Sequence, residues 1–255
     1  MRTGADYLRA WAASAFRCPF NPTPYLFLFG SENCGKSIFY ESLQLLVTKG
    51  VIKADRALPD GWDRRPLGRC ARFLSGGTPS KGRADFWEGS IPWVSSGELT
   101  EMRVHDASLH VTPEAVEAGS RLVPPDTILA VVRGMSLAKD FRVAITARSV
   151  AFNQDLKALV SEPDVDATYL FMALHVQRAQ IRDRATEASH GTKKLDTPVL
   201  ASVPILIPRP ALQQQSREIV DPMNAQWDNL HQQNDRLKAA RDLLLPRLIN
   251  GGIAV

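Results

Sequence analysis

The sequence predicts an α+β chain in three parts: a small α/β fragment over residues 1–58, a β-rich mixed domain over 59–210, and a long helix over 211–249. Three observations carry this. The apolar run YLFLFG leads into a loop and then a helical stretch. From about Arg69, short strand-like runs alternate with glycine turns. From residue 211 the chain becomes polar, with apolar residues recurring at heptad spacing.

The fragment opens with an expected helix. Tyr7, Leu8, Trp11, Ala12, Ala15 and Phe16 share a face at helical spacing. Asp6, Arg9 and Arg17 make this an amphipathic helix rather than a signal peptide. The prolines of CPFNPTP end it, because each fixes φ and removes a donor. GSENCGKS, residues 30–37, fits the phosphate-loop pattern G-x-x-x-x-G-K-[ST]. It lies between the strand YLFLFG and the helix KSIFYESLQLLVTKG, the context such a loop requires. Gly30, Gly35, Lys36 and Ser37 are therefore candidate nucleotide-binding residues. Backbone amides there would cradle phosphate oxygens, Lys36 would reach the β and γ phosphates, and Ser37 would hold magnesium. Hydrolysis needs a second strand ending in an acidic residue. The later apolar runs TILAVVRG and FRVAITAR end in arginine instead.

VIKADRALPDGWDRRPLG is polar, broken by Pro59, Gly61 and Pro66, and reads as a connection. Strands are then expected in ARFLSGGTPSKG, SIPWVSSGEL, DTILAVVRGMSL and FRVAITARSVAFNQDLKALV, and later in PILIPRP. TPEAVEAG is a short helix, with Thr112 as cap and Pro113 at its first position. A longer helix is expected over about 166–188. The loop SHGTKKL and the short segment DTPVLASV follow it.

Met223, Trp227, Leu230, Asn234, Leu237, Arg241 and Leu244 are spaced alternately by four and three, a heptad seam with two polar members. A helix over 211–249 is about 50–55 Å long. Pro222 is expected to kink it or begin its regular part, and Pro246 to end it. So polar a helix needs a partner for its stripe. Trp227, Leu230, Asn234, Leu237 and Leu244 are the residues expected to pair with a second helix, within an assembly or between domains.

Composition narrows the classes. The 255 residues are 44% hydrophobic and 23% charged, enough apolar material for a core. Net charge is +4, a mild basic excess that permits nucleic-acid binding without requiring it. Cys18, Cys34 and Cys70 have no C-x-x-C spacing, so neither a disulfide framework nor a cysteine metal cluster is expected. A reducing cytoplasm is the expected location, and no stretch reaches the length of a membrane span. His105, His110, His175, His190 and His231 share no ligand spacing, so no metal site is expected.

Two resemblances follow. FNPTPYLFLFGSENCGKSIFYESLQLLVTKGVIKADRAL, within residues 8–58, resembles the start of the superfamily-three helicase domain of phage and plasmid primase-helicases. The family's later acidic strand, sensor and arginine finger have no counterpart, so the segment reads as a truncated remnant that retains the nucleotide-binding loop. Residues 62–253 resemble the DNA specificity subunit of type I restriction-modification systems. The likeness starts at FLSGGTPSKGRADFWEGSIPWVSSGEL and continues through VTPEAVEAGSRLVPPDTILAVVRGMSL and AFNQDLKAL. It runs on through GTKKLDTPVLASVPILIPRPALQQQ to NDRLKAARDLLLPRLINGGI.

That resemblance implies one target recognition domain and one spacer helix, where the family usually carries two of each. It implies sequence-specific binding of double-stranded DNA, with no covalent chemistry and no cofactor of its own. ATP and S-adenosylmethionine would be used by partner subunits. The implied partners are a methyltransferase subunit and, through it, a restriction motor subunit, with a homodimer through the helix restoring the usual two-domain plan. The polar loops flanked by glycine are the expected fingers. They supply Thr78, Ser80 and Lys81; Ser95, Ser96 and Glu98; Arg133, Ser136 and Lys139; and Thr192, Lys193 and Lys194. Gly76 and Gly77 are expected to serve the turn, Trp87 and Trp93 to pack, and Asn153–Asp155 to fix a turn.

Overall fold

The computed structural model describes Leu58, residues 61–188 and residues 192–249. The strand, phosphate loop and helix expected before residue 58 lie outside the described residues, with Gly30, Gly35, Lys36 and Ser37 among them.

In chain order the strands are β1 (Asp63–Pro66), β2 (Ala71–Ser75), β3 (Ile91–Val94), β4 (Arg103–Val104), β5 (Leu109–Val111), β6 (Leu122–Val123), β7 (Ile128–Val131), β8 (Arg133–Gly134), β9 (Val143–Thr146), β10 (Val150–Phe152), β11 (Leu156–Ser161), β12 (Thr186–Glu187), β13 (Lys193–Lys194) and β14 (Pro204–Ile207). The helices are α1 (Pro113–Gly119), α2 (Ala167–Val176), α3 (Arg178–Arg182), α4 (Thr197–Ala201) and α5 (Pro210–Ile249).

The centre is a five-stranded mixed sheet in the order β2–β11–β7–β9–β4. Two of its inner strands, ILAV in β7 and VAIT in β9, are buried at every residue. Strands covered on both faces need no polar alternation. Alternation persists in where the side chains go. Ile128, Ala130, Val143, Ile145 and Leu159 join one core with Leu170, Phe171 and Leu174 of α2. Leu129, Val131, Ala144, Leu156 and Ala158 face the other way, onto a second core with Val94, Val150 and Phe152. Full burial of one such side chain contributes about 1.5–3 kcal/mol. The sheet thus joins a helical layer on one face to the second sheet, β5–β3–β10–β6, on the other.

Local chemistry sets the helix starts. Thr112 accepts a hydrogen bond from Ala115 N at 3.2 Å and Pro113 opens α1, as the sequence predicts. Asp166 caps α2 by accepting from Tyr169 N at 2.8 Å. The single helix expected over 166–188 is instead two, broken at Gln177. Gln177 has φ −87° and ψ 3°, outside the helical region, and the chain then turns out into β12. The expected connection before Arg69 also contains β1, which pairs antiparallel with β14. Leu67 is fully buried beside it.

Helix α5 is pinned at its start by Gln213, which is almost fully buried. Its Oε1 accepts from Asp166 N at 2.8 Å, and its Nε2 donates to Pro208 O at 3.0 Å. Pro246 does not end the helix, which runs to Ile249 through both Pro222 and Pro246. A proline frees the carbonyl four residues earlier, here on Glu218 and Asp242. Both residues are exposed, so water can take those bonds.

Candidate nucleic-acid interface

Strand register gathers the predicted loops. Ser75 lies opposite Lys157, Val131 opposite Leu156, and Val143 opposite Ala130. The end of β2, the start of β11, the end of β7 and the start of β9 therefore share one edge of the central sheet. From that edge project the loops 76–81, 153–155, 133–139 and 140–142. Asn153 N donates to Val94 O at 3.0 Å, which brings the turn after β3, with Ser95, Ser96 and Glu98, to the same place. Arg142 Nη1 reaches Gly97 O there at 3.4 Å.

The last loop arrives by strand pairing. β12, β13 and β8 form a three-stranded sheet in which Lys194 lies opposite Arg133 and Lys193 opposite Gly134. Leu195 N donates to Val132 O at 2.8 Å and extends this pairing. Arg133, far away in sequence, thereby becomes the cross-strand neighbour of Lys194, with Lys193 beside it. Thr192 stands just before them and accepts from Ala188 N through its carbonyl at 2.8 Å. Gly134 has φ +131°, a conformation that favours glycine and turns the chain into the exposed segment at Met135.

The glycines of SGGTPSKG serve packing. A Cβ on Gly76 would stand 2.2 Å from Phe152 O, and one on Gly77 would stand 2.2 Å from Gly119 O. Trp93 is buried and its Nε1 donates to Gly77 O at 3.0 Å, while Trp87 packs edge-on against it at 5.2 Å. This tight base presents Thr78, whose Oγ1 bonds Gln154 Oε1 at 2.7 Å. Asn153 Oδ1 accepts from Asp155 N at 3.2 Å and fixes the neighbouring turn.

Charge at this edge is uneven. Among the described residues, no ion pair engages Lys81, Arg133, Lys139 or Lys193, whereas Lys194 meets Asp196 at 3.4 Å. Glu98 is committed elsewhere. Burial opposes its ionisation, but hydrogen bonds from Ser108 and Ser95 overcome this and hold its carboxyl below the usual range. It accepts from Ser108 N at 2.9 Å and from Ser95 N at 3.1 Å, so it staples the turn. Ser80 and Lys81 are exposed, and Ser96 and Ser136 are half-buried. Three further residues stand at this edge. Gln154 is exposed, Met135 is 74% exposed beside Arg133, and Arg142 is half-buried. Only topology reveals them, since nothing in AFNQDL or RGMSL separates a surface role from a turn.

Helix α5 has two faces. Leu212, Gln213, Ser216, Val220, Asn224, Asp228 and His231 are its less exposed residues and face the domain. Asp228 is the main clamp: Arg103 donates to it from Nε at 2.7 Å and from Nη2 at 2.9 Å. The Arg103 guanidinium holds the Asp228 carboxyl below the usual range against the opposing effect of partial burial. The predicted seam lies about 100° around the helix from this face, one residue away at each turn. Trp227, Leu230, Leu237 and Leu244 are 40, 48, 67 and 44% exposed, and Asn234 lies in line with them. Among the described residues no helix is long and apolar enough to cross a membrane.

Comparison with known proteins agrees with this architecture. Residues 59–239 match the family model for the type I restriction modification DNA specificity domain. The chain is 31% identical over 159 residues to the EcoR124I/EcoR124II specificity subunit of Escherichia coli, covering 62% of this chain and 39% of that protein. It is 23% identical over 220 residues to the HindI specificity subunit of Haemophilus influenzae, covering 82% of this chain and 46% of that one. The chain thus spans less than half the length of either relative. The fold is similar to that of the HsdS subunit from Thermoanaerobacter tengcongensis, with TM-score 0.53 at 16% identity over 93% of this chain and 49% of that chain. It is also similar to the S subunit from M. genitalium, with TM-score 0.55 at 15% identity over 77% and 47%. None of these likenesses bears on the primase-helicase resemblance. With a mixed sheet that gathers polar loops at one edge, a long trailing helix, and a family match over residues 59–239, the chain belongs to the type I restriction modification DNA specificity domain family.

Proposed function

We propose that the chain reads the sequence of double-stranded DNA as the specificity subunit, or half-subunit, of a type I restriction-modification system. In this reading it directs methyltransferase and restriction subunits to a bipartite site and does no covalent chemistry itself. ATP and S-adenosylmethionine would be consumed by those partners. The observation that carries the reading is the common edge at which, among the described residues, Lys81, Arg133, Lys139 and Lys193 stand without ion pairs beside polar loops.

Exposed cations release counterions from phosphates and set register on the duplex. Base edges are read by matching donors and acceptors: Gln154, which both donates and accepts, suits adenine, and Arg133, which only donates, suits the two guanine acceptors. Thr78, Ser80, Ser96, Ser136, Thr192 and Lys194 complete the contact set. The exposed stripe of α5 supports pairing with a second helix of the same kind. A two-fold pair of chains would then read two half-sites in inverted orientation.

The test is selection from randomised duplexes by the purified chain together with its cognate methyltransferase subunit. A bipartite sequence is the expected product, and absence of any sequence preference would overturn the reading. The alternative, a nucleotide-binding remnant of a primase-helicase, rests on GSENCGKS alone. It requires ATP–magnesium to raise the melting temperature by mass action, and Lys36→Ala to abolish that rise.

A further inference from the structure

We infer that Glu101, His105 and His231 form a site for one divalent transition-metal ion, of the zinc or cobalt class, that locks α5 onto the domain. Glu101 and His105 flank β4, and His231 comes from α5. The residues offer ligand atoms that all lie within 4.8 Å of one another. The five histidines show no shared spacing in sequence. Two of them meet only because Asp228 clamps the helix against β4.

A hydrogen bond at one ring and a nearby carboxylate at the other favour a metal over a merely polar contact. His105 Nε2 lies 2.7 Å from Asp228 Oδ1, and His231 Nε2 lies 3.3 Å from Asp235 Oδ2. A ring that gives its Nε2 proton to a carboxylate carries a lone pair on Nδ1. Metal-binding imidazoles are oriented and made more basic in just this way. The Nδ1 atom of His105 is buried and has no hydrogen-bond partner among the described residues. A buried acceptor is rarely left so, and an ion would satisfy it.

Charge points the same way. Glu101, Asp228 and Asp235 face Arg103 and Lys238, so a divalent ion meets a net negative surrounding. Two imidazoles and a carboxylate suit zinc or cobalt, with water completing a four-coordinate site. The two rings now stack, with centroids 4.0 Å apart and planes 12° from parallel. A metal lies in the plane of each ring that binds it, so binding must turn one ring out of the stack. His231 is the more exposed of the two and has room to turn. The lock acts where it matters for the helix. Beyond His231 the described residues of α5 are exposed, so the direction of the free rod is set at this point.

The test uses the full metal-free chain titrated with cobalt(II), followed by zinc competition. One equivalent should bind with visible d–d bands, and zinc should displace it. Zinc should raise the melting temperature and slow amide exchange around residues 224–234. His231→Ala, on an exposed stretch of helix, and Glu101→Gln should each weaken binding by at least about tenfold, since removing even a residue that only orients a ligand costs about 10- to 100-fold. Unchanged affinity in both variants would place the ion elsewhere and overturn the inference. Absence of stoichiometric binding to the parent chain would overturn it equally. Neither outcome depends on what the polar loops bind.

Discussion

The contact between Arg103 and Asp228 is the sharpest quantitative test of how the helix is held. Arg103 makes two hydrogen bonds to the carboxylate, at 2.7 and 2.9 Å, with side chains 10 and 29% exposed. A solvent-exposed pair of this kind is worth about 0–1 kcal/mol. Removing one partner of a fully buried pair costs about 3–5 kcal/mol. The pair lies between these limits, with the arginine almost dry and the aspartate at the margin. Discounting for that exposure, the coupling in a double-mutant cycle of Arg103→Ala and Asp228→Ala should be about 1.5–2.5 kcal/mol. Asp228→Ala alone should cost more, about 2–3 kcal/mol, because it strips the acceptor from Arg103 and His105 together. The assay is urea denaturation followed by far-ultraviolet circular dichroism, read as a midpoint shift at constant slope. Hydrogen exchange over residues 216–231 should show the same loss locally. A coupling below about 0.5 kcal/mol would mean that the pair is no stronger than a surface contact. The helix would then be held mainly at its start, by Gln213 and by Arg217 with Asp166.

Four further outcomes follow from particular contacts. Gly77→Ala should destabilise the chain by about 1–3 kcal/mol, because its Cβ meets the backbone oxygen of Gly119 at 2.2 Å, and thermal melting reads this directly. Glu98→Gln should flatten the acid limb of stability: the carboxyl is depressed in the folded state, so its contribution is present above the unfolded value near ~4.3 and lost as pH falls through the lower folded value. A slope unchanged between parent and variant below that pH would refute it. Arg133→Ala and Lys193→Ala should each reduce the slope of log affinity against log salt by about 0.9 for every phosphate no longer neutralised, measured by duplex binding across salt concentrations. Cys70 is fully buried, and burial pushes its thiol up to about 11, so it should resist alkylation until the chain unfolds.

Local signals were legible in the sequence wherever a short stretch decides its own structure. Thr112 with Pro113 announces α1, and the apolar runs ILAV, VAIT and PILI announce strands. β1 was not legible. DRRP looks like a polar connection, and its strand geometry comes entirely from pairing with β14, about 140 residues later. The break at Gln177 was equally hidden, because LFMALHVQRAQIRDR keeps helical spacing across it. The four polar loops were identifiable as loops by their glycines. Their convergence was not, because it depends on the order β2–β11–β7–β9 and on the pairing of Lys194 with Arg133. The meeting of His105 with His231 is a still longer-range consequence of the same kind.

The two faces of α5 tie fold to assembly. A helix that packs only on its own domain should place its apolar stripe inward, since apolar burial is the main stabilising term available to it. Here the inward stripe is Leu212, Gln213, Ser216, Val220, Asn224, Asp228 and His231, mostly polar, while Trp227, Leu230, Leu237 and Leu244 stay outside. The inward contacts are directional hydrogen bonds, which fix orientation but release little solvent-exposed apolar surface. The outward residues are large and fall at alternate spacings of three and four, the pattern that interleaves with a second helix. A stripe of this length on a lone monomer is an aggregation liability. The polar face therefore aims the rod, and the apolar face, with Asn234 in mid-seam, carries the pattern that the proposed pairing with a second helix requires.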